Sequence, residues 1–169
     1  MSGKSRLEGQ APLVLWLLLL SPGILRADDD PCLSFRAGDG TKRDACADAT
    51  IASLTEEDYS AAVGRLDGMG EGIAPKLIKA LSSSQWLTRA AAADALGRMG
   101  KRASAPEVMV NALAAHAKDK EAKVRQQVFG AIGRIGRKTP AAEEAVRQGL
   151  LDSDLLARHL AGYASAELK

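Results

Sequence analysis

Aromatic side chains are scarce in this chain, at 4% of 169 residues, and histidine and cysteine occur only twice each. Few aromatics beside abundant Ala, Leu, Val and Ile suit closely packed helices better than a sheet, which favours aromatic and β-branched residues. The same scarcity removes the stacking platforms that single strands require, so nucleic acid is not expected as a partner. Two histidines leave little for acid–base or nucleophilic work. No G-x-S-x-G elbow, P-loop, dinucleotide fingerprint or H-E-x-x-H occurs. Gly38-Asp-Gly-Thr-Lys42 superficially suggests a phosphate or calcium loop. It lacks the P-loop spacing and the alternating ligands and closing Glu of an EF-hand, and it reads as a plain turn. The expectation is a protein that is not an enzyme, with no cofactor and no metal centre.

No apolar run reaches the roughly 20 residues of a membrane-spanning helix. The run that comes nearest, Pro12 to Leu20, follows Lys4 and Arg6 and is broken by Pro22-Gly23. A basic start, a short apolar run and a small-residue exit are the parts of a secretory signal peptide, read here as residues 1–27. Ala27 suits the last position, with Ser21 and Gly23 competing. The protein is accordingly expected to be periplasmic or secreted. Residues 28–54 form a segment holding both cysteines, and 55–169 a repeat domain. In an exported chain the isolated pair Cys32 and Cys46 reads as a structural disulfide. Closing so short a loop contributes about 3 kcal/mol in the chain-entropy account.

What the sequence does have is repetition. TRAAAADALGRMG at 88–100 overlies VRQQVFGAIGRIG at 124–136, matching Arg89 to Arg125, Gly97 to Gly133 and Gly100 to Gly136. Asp119 stands six residues before Arg125, and Asp152 six before Arg158, whereas Ser83 takes that place before Arg89. Leu77 and Leu81 correspond to Val146 and Leu150. A weaker copy, Ala62-Val-Gly-Arg-Leu, lies upstream. Fixed-period similarity of this kind marks a stacked repeat protein. Val124, Val128, Ala131, Ile132 and Ile135 make one helical stripe, as do Ala92, Ala95, Leu96 and Met99. Val108, Ala112 and Ala115 are expected on the core side of the intervening helix, with Ser104 as its cap. Eight helices in four pairs follow: 44–53 and 55–67, 71–82 and 84–99, 103–117 and 120–135, 139–150 and 152–166. Gly97 and Gly133 each cost about 1 kcal/mol within a helix. That recurrent cost predicts close backbone approach between neighbouring helices. Gly100 and Gly136 are expected as left-handed helix stops.

These residues carry a family resemblance. D-x-x-x-x-V-R-x-x-x-x-x-A-I-G-R-I-G at 119–136 resembles the second helix of a HEAT-type repeat, especially the short bilin-lyase-like subclass. The resemblance covers about 71–166 and implies an all-α solenoid of three to four antiparallel helix pairs. It also implies that Arg89, Asp119, Arg125, Asp152 and Arg158 belong to a structural ladder tying adjacent units. Ser83 leaves the first full unit tied less firmly. A repeat-level likeness gives no reason to transfer a lyase activity.

Charge is unevenly distributed. Basic residues exceed acidic ones by nine over 76–138, whereas 28–75 carries a net −7 and 139–169 a net −2. Two functional readings result. One is an exported module that binds a protein or peptide on the inner face lined by second helices. Its candidate residues there are Arg98, Gln126, Gln127, Arg134, His159 and Tyr163, with Phe129 either a space-filler or an exposed anchor. The other is an assembly accessory of an envelope complex or anionic membrane surface, working peripherally through the basic middle.

Overall fold

The computed structural model describes Cys32 and residues 39–168, so the expected signal peptide and most of the Cys loop lie outside the described residues. Among the described residues, eight α-helices run in chain order: α1 Gly40–Ala52, α2 Tyr59–Gly68, α3 Ala74–Ala80, α4 Trp86–Gly100, α5 Pro106–Ala114, α6 Ala122–Ile135, α7 Pro140–Gly149 and α8 Leu155–Glu167. A short 3-10 turn, Glu71–Ile73, leads into α3. The helices form four antiparallel pairs stacked side by side. Second helices α2, α4, α6 and α8 make one layer, and first helices line the other.

Local chemistry sets the boundaries. Asp39 caps α1 through the Lys42 amide, Thr139 caps α7 through Ala142, and Asp154 caps α8 through Ala157. Each carboxylate or hydroxyl satisfies an amide that the first turn leaves unpaired. Proline stands in the first turn of α3, α5 and α7, where its missing N–H is not needed. Gly136 ends α6 in the left-handed region at φ 66°, its amide bonded to the Ile132 carbonyl.

Alanine shapes the core. In α4 every residue from Thr88 to Gly97 is buried, including five alanines. Such short side chains let four neighbouring helices, α2, α3, α5 and α6, close onto α4. The predicted α6 stripe is buried throughout, as are Ala92, Ala95, Leu96 and Met99.

Several expectations are corrected. Val108 is 59% exposed; α5 instead turns Met109, Val110 and Leu113 inward, with Ala117 just beyond it. Alanine and valine populate both sides of α5, so apolarity alone did not fix its rotation. Ser104 does not cap α5. Its amide and hydroxyl both donate to Glu71, bridging two units. Gly100 does not take a left-handed conformation; a Cβ there would meet the Ile135 side chain at 2.6 Å, so its role is packing. Asp39 to Lys42 is the start of α1 rather than a free turn.

Cys32 and Cys46 form a disulfide, with Cys46 buried on α1. It ties Cys32 to α1.

Candidate functional site: the second-helix layer

The repeated arginines are consumed by structure, and the geometry shows how. Arg89 donates from Nε and Nη2 to the two carboxylate oxygens of Asp119, at 2.6 and 2.8 Å. Its Nη1 holds the carbonyls of Ser83 and Ser84 in its own unit. Arg125 repeats this with Asp152, at 2.7 and 2.8 Å, while Nη1 holds the Asp119 and Lys120 carbonyls. Each arginine therefore fixes its own interhelix loop and reaches the aspartate of the following unit. Planar guanidinium and carboxylate match in this two-pronged form. Both pairs are nearly dry, at 7% and 8% side-chain exposure for Arg89–Asp119 and 13% and 8% for Arg125–Asp152. Burial pushes the Asp119 carboxyl up, but hydrogen bonds from Arg89 and the Glu121 amide, with the guanidinium charge, hold it below its ordinary value. At Asp152 the Arg125 hydrogen bond dominates, in the same downward direction.

Close helix approach completes the stacking. A Cβ on Gly97 would lie 2.6 Å from both the Cα and Cβ of Ala131, and one on Gly133 would lie 2.5 Å from the Tyr163 ring. The mid-helix glycines bring α4 against α6 and α6 against α8, as their recurrence predicted.

What this scaffold leaves for recognition lies across the leading ends of the second helices. Glu56, Tyr59, Trp86, Leu87, Ala90, Lys123, Gln126 and Gln127 line a groove of about 280 Å³, drawn from three successive pairs. Trp86 forms part of its wall, with the Lys123 ammonium 4.8 Å over the indole ring, a favourable cation–π arrangement. Gln126 donates to Asp154, which also caps α8, so its amide is positioned by the next unit. The Tyr59 hydroxyl is buried without a hydrogen-bond partner. Burial pushes its pKa up and Asp94 adds to this, with Arg134 and Arg98 opposing. The phenol therefore stays a protonated donor.

Beside it, Asp94 is buried in α4 and bridges Arg98 at 3.3 Å and Arg134 of the next pair at 2.7 Å. The Arg134 Nε is also buried and unpartnered. The predicted candidates thus separate. Gln126 and Gln127 line the groove, and Arg98 and Arg134 flank it on Asp94. His159 and Tyr163 lie apart on α8. Phe129 is 1% exposed and packs where a Cβ on Gly149 would stand, so it is the space-filler of its two readings. Sequence reasoning missed Glu56, Tyr59, Trp86, Leu87, Ala90 and Lys123. The repeat register held a signal, since Gln126 aligns with Ala90 and Lys123 with Leu87, one turn into each second helix.

The basic middle also resolves into pairs. Among the described residues, eight of its thirteen cations face a carboxylate, several across units: Lys76–Asp48, Arg102–Asp67, Arg125–Asp152 and Arg134–Asp94 are examples. Four of the carboxylates, Asp48, Asp67, Asp152 and Glu143, come from outside 76–138, so part of the basic excess is compensated in space.

A family model described as HEAT repeats matches residues 73–166, from the end of the 3-10 turn into α8. No curated protein matches the chain.

Proposed function

Because the chain belongs to the HEAT-repeat family, whose helical arrays are generally non-enzymatic scaffolds mediating protein–protein interaction, we propose that it binds a protein or peptide segment in the groove across α2, α4 and α6, and does so outside the cytoplasm. The observation that carries this reading is the groove itself. Three pairs contribute to it, and it combines an aromatic wall with two side-chain amides. Glutamine amides both donate and accept, which suits an extended peptide backbone. The Cys32–Cys46 disulfide supports an oxidising compartment. Pairing of most of the basic middle speaks for this reading over an anionic-surface accessory, because a paired cation attracts lipid headgroups weakly.

The test uses a photo-crosslinking side chain placed at Gln127, and separately at exposed Ala141 on α7, in the full-length protein within its source cells. A partner crosslinked from 127 and not from 141, and lost on Trp86→Ala with the melting temperature retained, is the expected result. Equal capture from both positions, or capture unaffected by Trp86→Ala, would rule the groove out.

A further inference from the structure

The outer face of the α7–α8 pair is built like an interior face of the stack. Leu150 occupies the register position of Leu81 and Ala117, both buried, yet it is 44% exposed. Leu151 is 83% exposed. Leu155 is 73% exposed and stands at the position of Trp86, which carries Lys123 of the following pair. Together these exposed leucines form an apolar patch of the kind that marks a contact surface. Arg158 sharpens the point. Its Nη1 holds the Asp152 and Ser153 carbonyls, as Arg89 and Arg125 hold theirs. In those two residues Nε and Nη2 grip the next unit's aspartate. In Arg158 these two donors meet no carboxylate among the described residues. Gly162, aligned with Phe129, leaves open space on the same face, with only Leu150 near, at 3.9 Å.

We propose that this face docks a helical hairpin of a partner protein, which covers Leu150, Leu151 and Leu155 with aliphatic side chains and supplies an Asp or Glu carboxylate to Nε and Nη2 of Arg158. The chemistry follows from the two completed rungs: a carboxylate in the loop before a second helix, flanked by apolar packing. A second copy of this chain fits poorly. Pairing about a two-fold axis would have to offer each Arg158 a carboxylate of the same face, and the two beside it in the loop, Asp152 and Asp154, are already held by Arg125 and Gln126. Head-to-tail stacking would need an apolar surface on the first pair, and no large hydrophobic of α1 or α2 is exposed among the described residues. This face is separate from the α2–α4–α6 groove, so either proposal stands or falls alone.

The test places the photo-crosslinker at Leu151 in the full-length chain in its source cells and maps the captured peptide. The expected product joins Leu151 to a partner helix pair with an Asp or Glu within one turn of the crosslink. Leu155→Glu, on the surface and neutral to folding, should lower the yield at least about tenfold. Arg158→Glu should abolish it, and replacing the partner's mapped carboxylate by Arg in that background should restore it. Such a swap cannot be mimicked by a misfolded variant. No product at Leu151, a product joining only two copies of this chain, or capture that survives Leu155→Glu would each overturn the proposal.

Discussion

The seam between the first two helix pairs and the two seams that follow it are built differently. From α4 onward, each seam has a glycine that admits the next helix and a dry Arg–Asp pair across it. Between α2 and α4 both devices fail together. Gly64 aligns with Gly97, but a Cβ on it would meet nothing within 4 Å. Glu56 stands at the arginine position of the ladder and Ser83 at the aspartate position. The ties are instead Lys76–Asp48 and Arg102–Asp67, both open to solvent. Exposed pairs contribute little and weaken with salt. The looser seam coincides with the groove, whose Glu56 and Tyr59 come from the first pair. Tight stacking consumes surface; the seam released from it can line a site.

The comparison can be broken most severely at the ladder. Asp119→Ala leaves Arg89 buried and unpaired, so a loss of about 3–5 kcal/mol is expected in urea unfolding. Ser83→Ala should cost no more than about 1 kcal/mol, because Arg89 uses only the backbone carbonyl there and the hydroxyl accepts only the exposed Gln85 amide. Equal effects of the two would refute the ladder as the dominant tie. Next in size, Gly97→Leu or Gly133→Leu should cost about 3 kcal/mol by overpacking. Opening the disulfide with reductant should cost a similar amount, about 3 kcal/mol, and loosen the first pair selectively. Hydrogen exchange accelerating in α1 before α6 is the expected sign. Smaller and of opposite sign, Gly64→Ala should stabilise by about 1 kcal/mol, since helix propensity improves and nothing is struck. A destabilised Gly64→Ala protein would mean that α2 and α4 approach as closely as the later helices.

Acid provides a graded version of the same contrast. Asp119 and Asp152 are held below their ordinary value of 3.8. Their contribution is therefore whole above that value and disappears as pH falls through the lower folded values. Stability should drop below about pH 4, and Asp119→Asn with Asp152→Asn should flatten that drop while lowering stability at neutral pH. An unchanged acid profile would remove the ladder from the pH dependence.

Repetition made most of the fold legible. The helix pairs, the core stripes of α4 and α6 and the tight glycines all follow from comparing one unit with the next, and the ladder role of the arginines and aspartates from the family resemblance. Rotation of α5 did not, because alanines on both sides gave no preferred face, and Met109 proved a better core residue than Val108. The site was legible only in part. Gln126 and Gln127 were found as departures from the core stripe, but Tyr59 and Trp86 enter the groove through where neighbouring helices sit. No spacing within one helix encodes that.

By itself, then, the sequence determined the architecture, because period, apolar stripe and glycine placement are local quantities that each unit repeats. Only the tertiary structure decided which charges remain available. The basic middle looked like a surface on paper, yet Arg89 and Arg125 lie opposite aspartates some 30 residues away. Pair neutralisation depends on distance in space, so only the stacked helices could show that Arg89 and Arg125 are spent, and that Arg158 still offers two donors.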